Sequence, residues 1–274
     1  MVAGVSGGDI FTSQDGGVTW NRKINLSKSW SSFSSSLDGT KMVAGSTDGY
    51  LYTSNDSGVT WISRGKNPTN AVYYTTCDTT CTKVAVTGFG TFLTSNNSGA
   101  NFTVAYSTNG PFALTSSADG NVLMAPLHGG AIARSLDSGL TWDYYQNNMS
   151  WPSWQSVACD SSCTKVVAVG GPGYIYTSND TGATWTQQNN SGSRNWNFVA
   201  CDTTCSKIIA VVNGGYIYTS NDSGVTWTEQ TSSGSRSWLA VACDSTCTKA
   251  VAAAQNDALY LSHNSGVNWT SYLG

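Results

Sequence analysis

The sequence is poor in charge. Only 11% of its 274 residues are charged, with 13 Lys and Arg against 16 Asp and Glu, and the formal net charge is −3. Nucleic acid and anionic membrane surfaces are bound by dense Lys and Arg, which this chain does not have. We therefore expect no nucleic-acid partner.

Two hydrophobic patterns are also missing. No apolar run approaches the roughly 20 residues of a membrane-spanning helix, so no membrane insertion is predicted. No stretch keeps the three- and four-residue spacing of an amphipathic helix over a useful length. What the chain does contain is 11 Trp and 13 Tyr among abundant Ser, Thr, Asn and Gly. This composition predicts an all-β protein with large aromatic fillers.

One motif, Ser-x-Asp-x-Gly-x-Thr-Trp, recurs along the whole chain. Its spacing is 40 to 43 residues, and a fixed period of this size indicates an array of one supersecondary unit. The seven copies have their central Asp or Asn at Asp15, Asp56, Asn97, Asp137, Asp180, Asp222 and Asn264.

The residue types of the motif predict a hairpin turn. In the sixth copy, residues 216–219 are aromatic and β-branched, which favours a strand. Ser220 and Asp222 can bond local backbone, and Gly224 accepts a positive φ. A second strand resumes at 225–228. Because turn chemistry accounts for every position, we interpret Asp222 as a scaffold residue and not as a catalytic residue or metal ligand.

The motif resembles the Asp-box, or BNR repeat, of sialidases, sortilin-type receptors, xyloglucanases and photosystem II assembly factors. The resemblance covers nearly the whole chain and implies a β-propeller, but it does not imply one function. Repeat three departs most, with Asn97, Asn101 and Phe102 where Asp, Thr and Trp are expected. Repeat seven has Asn264 and Asn268. Asn keeps the side-chain oxygen that accepts a turn hydrogen bond, so these copies should fold alike with a weaker turn.

Aligned repeats give four strands per unit, which in the sixth unit are 196–200, 207–212, 216–219 and 225–230. The prediction is an all-β, seven-bladed β-propeller of four-stranded antiparallel blades, forming a single domain over residues 1–274. Residues 1–4 align with 42–45, so the first blade apparently lacks its first strand. A three-stranded blade, a shortened chain and a strand from another chain are the alternatives.

The eight cysteines form four pairs with the pattern Cys-Asp-x-x-Cys, each between a first and a second strand. In two other repeats the same turn is a tight Asp-Gly turn, at 37–40 and 118–121. Zinc would need the pairs to converge, whereas they belong to separate blades. Four disulfides are predicted, Cys77–Cys81, Cys159–Cys163, Cys201–Cys205 and Cys243–Cys247, because opposed Cα atoms of a hairpin lie within disulfide range.

Disulfides are typical of an oxidising compartment, so an extracellular, secreted location is expected. Residues 1–10 lack the basic start and apolar core of a signal peptide. A signal peptide that has been removed would reconcile these two observations.

Candidate catalytic groups are scarce. Glu229 is the only glutamate, and His128 and His263 have no visible Ser or Cys partner. Sialidases with this repeat use three arginines and a Tyr–Glu pair, a set that the five arginines here do not match. Glycosidases need two carboxylates at a set separation. The aspartates outside motifs and hairpin turns are Asp9, Asp48, Asp143 and Asp257.

All of these aspartates except Asp143 fall in equivalent loops between second and third strands. A pair of carboxylates on one face of the protein therefore stays open as an alternative. The sequence leaves open whether the chain is an enzyme, and the scarcity of acid–base groups favours a non-catalytic protein. No catalytic residue, metal ligand or cofactor is assigned.

The segments that lead into the first strands are not explained by turns. Ser-Gly-Ser-Arg-x-Trp occurs twice, with Arg194 and Arg236 at equivalent positions. Trp stacks on sugar rings, and Arg, Ser and Asn donate to hydroxyls. The alternative is that each Trp seals a seam between blades and each Arg caps a loop. The predicted ligand-binding residues are Trp30, Trp151, Trp154, Arg194, Trp196, Arg236 and Trp238.

These observations favour a secreted, non-catalytic binding propeller, lectin-like, with carbohydrate or a glycoprotein as the partner. The first alternative is a protein–protein interaction propeller of the receptor or assembly-factor type. The second is a glycoside hydrolase. The sequence does not indicate an oligomeric state.

Overall fold

The computed structural model describes residues 2–15, 19–66, 71–88, 90–107, 113–127, 130–145 and 153–272. In these ranges the chain forms twenty-six β-strands and two short 3-10 helices, η1 (Asn189–Ser191) and η2 (Thr231–Ser233). The expected all-β structure is confirmed for this part of the chain. No helix in the same ranges is long and apolar enough to cross a membrane.

The chain divides into two compact units. The first comprises Met1–Leu127 and Ala133–Tyr144, and the second comprises His128–Ile132 and Tyr145–Gly274. A single domain over residues 1–274 stays a prediction.

The first fourteen strands in chain order are β1 (Val2–Gly4), β2 (Ser6–Thr12), β3 (Asn21–Ser35), β4 (Met42–Ser46), β5 (Tyr50–Ser54), β6 (Ile62–Lys66), β7 (Tyr74–Cys77), β8 (Val84–Gly88), β9 (Thr91–Ser95), β10 (Thr103–Ser107), β11 (Thr115–Ser116), β12 (Leu123–Pro126), β13 (Ile132–Ser135) and β14 (Asp143–Tyr145).

The other twelve strands are β15 (Ser153–Cys159), β16 (Val166–Gly171), β17 (Ile175–Ser178), β18 (Thr186–Gln188), β19 (Trp196–Cys201), β20 (Ile208–Gly215), β21 (Ile217–Ser220), β22 (Thr228–Gln230), β23 (Arg236–Cys243), β24 (Ala250–Ala254), β25 (Leu259–Ser262) and β26 (Thr270–Tyr272).

Within each group of four strands, strands that follow one another in the chain pair antiparallel. β7–β10, β11–β14 and β15–β18 form separate four-stranded sheets, and β19–β26 form an eight-stranded sheet in which β20 also pairs with β23. β1–β6 form one sheet, because the long strand β3 pairs first with β2 and then with β4. The predicted four-stranded antiparallel unit is confirmed. The count of seven blades and the missing first strand stay predictions.

The second strand of each four-stranded group lies in the core. Every residue of β4 and β8 is buried, and so are the five apolar residues at the start of β20. The continuous apolar run at 208–212 is buried, as its sequence predicts. A strand covered on both faces has no alternation of apolar and polar residues.

The repeated motif forms the turn between the third and fourth strands, as predicted. In the second repeat the Ser54 hydroxyl donates to Asp56 Oδ1 over 2.8 Å and accepts the N–H of Gly58 over 2.9 Å. Asp56 then accepts the N–H of Thr60 on Oδ1 and its hydroxyl on Oδ2, over 2.8 and 2.6 Å. The same contacts recur around Asp137, Asp180 and Asp222.

These bonds fix the protonation state of the turn carboxylates. Hydrogen bonds from the hydroxyl and the N–H of Thr60 lower the pKa of Asp56 to about 2. A general acid needs its pKa raised toward neutrality, which is the opposite direction. The carboxylate of this turn acts as a hydrogen-bond acceptor, in line with its interpretation as scaffold.

The asparagine copies keep the turn with one bond fewer. Asn97 Oδ1 accepts the N–H of Asn101 over 3.0 Å, and Asn264 Oδ1 accepts the N–H of Asn268 over 2.9 Å. The hydroxyl bond made by threonine in the aspartate copies has no counterpart among the described contacts of Asn101 and Asn268. The equivalent turn is confirmed, and its lower stability stays a prediction.

All four predicted disulfides are present. Each joins a cysteine to the cysteine four residues on, with Cα–Cα distances between 4.8 and 5.0 Å. They bridge the turns between first and second strands. In each pair the second cysteine has a positive φ, between 46° and 52°.

We expect the replacement of Cys201 and Cys205 by serine to have a moderate effect. A loop of five residues loses little unfolded-state entropy on closure, so the free energy of unfolding should fall by about 2 kcal/mol at most. Thermal unfolding should then shift by a few degrees. A loss several times larger in urea titrations would contradict this view of the bridge as a local staple.

Candidate functional site

The two Ser-Gly-Ser-Arg segments adopt the same structure. Each begins in a 3-10 turn, η1 or η2, passes through a glycine with positive φ, and leads into a first strand, β19 or β23. φ is +69° at Gly192 and +68° at Gly234. The repetition in sequence is therefore a repetition in backbone geometry.

Four of the predicted ligand-binding tryptophans are buried, and this corrects their assignment. Trp154, Trp196 and Trp238 are 0% exposed, and Trp30, which lies in β3, is 7% exposed. A buried indole has no free face for a sugar ring. Trp151, the fifth tryptophan of that set, lies outside the described residues.

The buried indoles share a packing partner. Each lies edge-on to a third-strand tyrosine with ring centroids 5.0 to 5.4 Å apart, a favourable geometry for aromatic pairs. The pairs are Trp30–Tyr52, Trp154–Tyr176, Trp196–Tyr218 and Trp238–Tyr260. The alternative from the sequence analysis, in which these tryptophans are packing residues between blades and not ligand-binding residues, therefore describes them.

Arg194 is partly exposed and held at three points. Its Cζ lies 4.6 Å from the centroid of the Tyr218 ring, and its Nε donates to the Tyr218 hydroxyl over 2.7 Å. Its Nη1 donates to the carbonyl of Ser191. The Tyr218 hydroxyl donates in turn to the carboxylate of Glu229. Burial, and then this bond to Glu229, raise the pKa of Tyr218, so the phenol stays neutral at physiological pH.

Arg236 repeats this arrangement with a different acid. Its Cζ lies 4.5 Å from the Tyr260 centroid, and its Nη1 donates to the carbonyl of Ser233. Its Nε donates to Asp257 Oδ2 over 3.0 Å, and the Tyr260 hydroxyl bonds Asp257 over 3.2 Å. The N–H of Ala258 first, and then the bonds from Tyr260 and Arg236, lower the pKa of Asp257.

The glycine of each segment combines a positive φ with a close approach to its arginine. A Cβ at Gly192 would lie 1.9 Å from Arg194 Nη1, and a Cβ at Gly234 would lie 2.0 Å from Arg236 Nη1. Nη1 of each arginine donates to a carbonyl of its own loop, so the arginine caps the loop, as the structural alternative expects. Of the five N–H groups of each guanidinium, two donate in the contacts given for the described residues, which leaves three for other acceptors.

The four aspartates outside the turns each have a basic partner. The ion pairs are Asp9–Arg22 at 2.5 Å, Asp48–Lys28 at 2.6 Å, Asp143–Arg134 at 3.6 Å and Asp257–Arg236 at 3.0 Å. No cluster of three or more His, Cys, Asp or Glu side chains that could hold a metal occurs in the described ranges. The arrangement can donate and accept hydrogen bonds.

The class of fold follows from comparison with solved structures, which identifies a β-propeller. The β-propeller domain of Cps50 (Swd1) from Myceliophteria thermophila has a TM-score of 0.72 at 14% identity, over 93% of this chain and 89% of that one. The YCF48 protein bound to D1 peptide has a TM-score of 0.70 at 20% identity, over 90% of this chain and 82% of that one.

The GH74 xyloglucanase from Xanthomonas campestris has a TM-score of 0.78 at 13% identity, and the match covers 96% of this chain but 51% of the enzyme. No protein-family profile and no curated protein matches the sequence. At these identities the similarity concerns the fold alone.

Proposed function

We propose that this protein is a secreted, non-catalytic binding propeller with seven blades and a lectin-like function, whose partner is a neutral carbohydrate or a glycoprotein. The observation that carries the proposal is the pair of pre-organised arginines, Arg194 and Arg236, each with donors left for a ligand. The four disulfides support an extracellular location.

The electrostatics of the two arginine clusters favour a neutral ligand. The charge of Arg236 is offset by Asp257 at 3.0 Å, and that of Arg194 by Glu229 through Tyr218. A phosphate or a polyanion would meet no net positive charge at either place. Sugar hydroxyls accept hydrogen bonds without requiring it.

The same contacts keep the entropic cost of binding low. Ordering a long, flexible side chain at an interface costs about 0.5–1.5 kcal/mol, and here the tyrosine ring and the loop carbonyl have already fixed each guanidinium. Each arginine is partly exposed, and we expect a weak affinity for one sugar. Two sites that engage one glycan-bearing surface would add avidity.

A peptide is the second candidate ligand. Leu239 follows the buried Trp238 in β23 and is 45% exposed, so an apolar side chain stands three residues from Arg236. A YCF48 propeller of similar fold has been solved with a D1 peptide. An exposed leucine in the strand that begins with Arg236 suits a peptide better than a sugar.

The test uses arginine variants. A glycan array with the intact protein selects the probe, and calorimetric titration with that glycan follows. Arg194→Ala should halve the stoichiometry and leave the Arg236 site intact, whereas the Arg194→Ala/Arg236→Ala variant should not bind. Arg64→Ala is the matched control, because Arg64 also donates to a hydroxyl, that of Thr53, over 2.7 Å. The proposal fails if the double variant matches wild type in affinity and stoichiometry.

A further inference from the structure

A cavity of about 330 Å³ lies in the first unit, between the β7–β10 sheet and the β11–β14 sheet. Its lining includes apolar residues such as Val84 and Leu123 and a larger set of hydroxyl and amide side chains, among them Asn97 and Asn101. The volume falls at the lower end of the range of small-molecule pockets, which is about 300–1,000 Å³. We call it the repeat-three cavity.

The same place in the second unit is closed. Between the β15–β18 and β19–β22 sheets the corresponding space measures about 10 Å³, although Lys165, Val166 and Ser178 line it as Lys83, Val84 and Ser95 line the repeat-three cavity. The fold therefore does not impose the cavity. Particular residues of repeats three and four open it.

Two of these residues reduce side-chain volume. Ala85 lines the cavity where Val167 lines the closed space, which removes two methyl groups. Gly120 stands where the closed space has Cys205, and the N–H of each bonds the carbonyl three residues earlier in an equivalent turn. The tight Asp-Gly turn therefore takes a disulfide-bonded side chain out of the wall.

Lys83 of the repeat-three cavity has a different hydrogen-bond partner from the equivalent lysines of other repeats. Lys165 Nζ donates across to Ser223 Oγ over 3.3 Å, and Lys41 Nζ donates to Ser98 Oγ over 3.4 Å. Lys83 Nζ instead donates to Asn121 Oδ1 over 2.5 Å, and the same oxygen accepts the Ser138 hydroxyl over 3.2 Å. Asn121 thus holds both groups together at one edge.

The departures of repeat three from its motif fall on the same cavity. Asn97 Oδ1 accepts the Ser95 hydroxyl and the N–H of Asn101, over 2.9 and 3.0 Å, so the other arm of the amide is an N–H donor. In the fifth repeat that arm is Asp180 Oδ2, which accepts the Thr184 hydroxyl over 2.6 Å. Repeat three gives up a turn bond, and both substituted side chains line the cavity.

We propose that the repeat-three cavity binds a neutral monosaccharide, either free or as a terminal sugar. The lining includes one lysine and one aspartate, Lys83 and Asp137. Their charges balance, so the cavity suits a ligand without net charge. Aliphatic carbons of Val84 and Leu123 suit the C–H face of a pyranose, while amides and hydroxyls pair with its hydroxyl groups. This site is separate from the arginine segments and does not depend on the function proposed for them.

The experiment is an NMR titration of the ¹⁵N-labelled protein with D-glucose, D-galactose, D-mannose and N-acetyl-D-glucosamine, each at millimolar concentrations. At least one sugar should shift the side-chain amide signals of Asn97 and Asn101 in a saturable way. If none of the four shifts them, the proposal is overturned. The Arg194→Ala/Arg236→Ala variant should keep these shifts, so failure at the arginine segments and failure at the cavity are distinguishable.

A second arm restores the motif. Asn97→Asp/Asn101→Thr should raise or preserve the melting temperature, since it regains the turn bond, and should weaken sugar binding at least tenfold, since it removes two amide donors. Backbone amide shifts of the cavity residues report the binding. Asn264→Asp/Asn268→Thr makes the same change in repeat seven and should leave binding unchanged. Wild-type affinity in the repeat-three variant would overturn the proposal.

Discussion

Replacing Trp196 with alanine should lower the free energy of unfolding by about 3–5 kcal/mol, the range for a large aromatic deleted from a core. Trp196 is fully buried, its ring centroid lies 5.1 Å from that of Tyr218 and 6.1 Å from that of Trp227, and its indole N–H reaches the carbonyl of Gly192 over 3.4 Å. Alanine would leave a cavity between these rings. Tyr218 lies in β21 and Trp227 directly precedes β22, so the two rings cannot collapse together without moving the backbone.

Urea denaturation of the variant measures this loss, with Leu239→Ala as the control. Leu239 is 45% exposed in a neighbouring first strand, so its truncation should change the stability by about 0.5 kcal/mol or less. A small loss for Trp196→Ala would mean that its indole is accessible and would restore its candidacy as a sugar platform. Glycan titration at the Arg236 site should be unaffected in Trp196→Ala.

The parts of the fold that were predictable from the sequence are local or periodic. The turn around Asp222 closes through Ser220, Gly224 and Thr226, all within four residues, so composition alone specifies it. The disulfides join cysteines four residues apart for the same reason. The buried run at 208–212 is visible because a short, β-branched apolar run bounded by turn residues is typical of a strand covered on both faces.

The direction of the tryptophans could not be predicted, because it depends on a bulge. The pairing of β19 with β20 shifts register between Trp196 and Phe198, and the buried residues of β19 are Trp196 and Val199, three positions apart. In a regular strand, successive side chains point to opposite faces. Because the bulge interrupts this alternation, it does not predict which face the tryptophan side chain takes. The same shift occurs after Trp154 and Trp238.

The remaining parts of the site depend on distant residues. Arg194 bonds Tyr218, which is 24 residues away, and Arg236 bonds Asp257, which is 21 residues away. Neither partner has a distinctive sequence signal. Repeat three did carry a signal, since Asn97 and Asn101 depart from the motif, but only the structure places them beside the space left by Ala85 and Gly120.

Gly224→Val should lower the free energy of unfolding by about 2–5 kcal/mol, through two separable effects. Gly224 has φ +86°, a left-handed conformation that costs a side-chain-bearing residue about 1–2 kcal/mol. A Cβ there would also lie 2.9 Å from Thr177 Cγ2 on the neighbouring third strand, and overpacking of this kind costs about 1–3 kcal/mol. The contact recurs, since Gly139 faces Thr94 Cγ2 and Gly266 faces Thr219 Cγ2 in the same way.

The two effects can be separated in this chain because Gly214 offers the backbone strain alone. Its φ is +76°, and a Cβ there would have nothing within 4 Å. Gly214→Val should therefore show only the conformational loss. Adding Thr177→Ser to Gly224→Val removes the opposing methyl, keeps the hydroxyl that accepts from Gln188, and should recover the steric part. Equal losses for the two valine variants would mean that the turn does not pack on its neighbour. Ligand loss without loss of stability in Gly224→Val would instead make the turn a binding element.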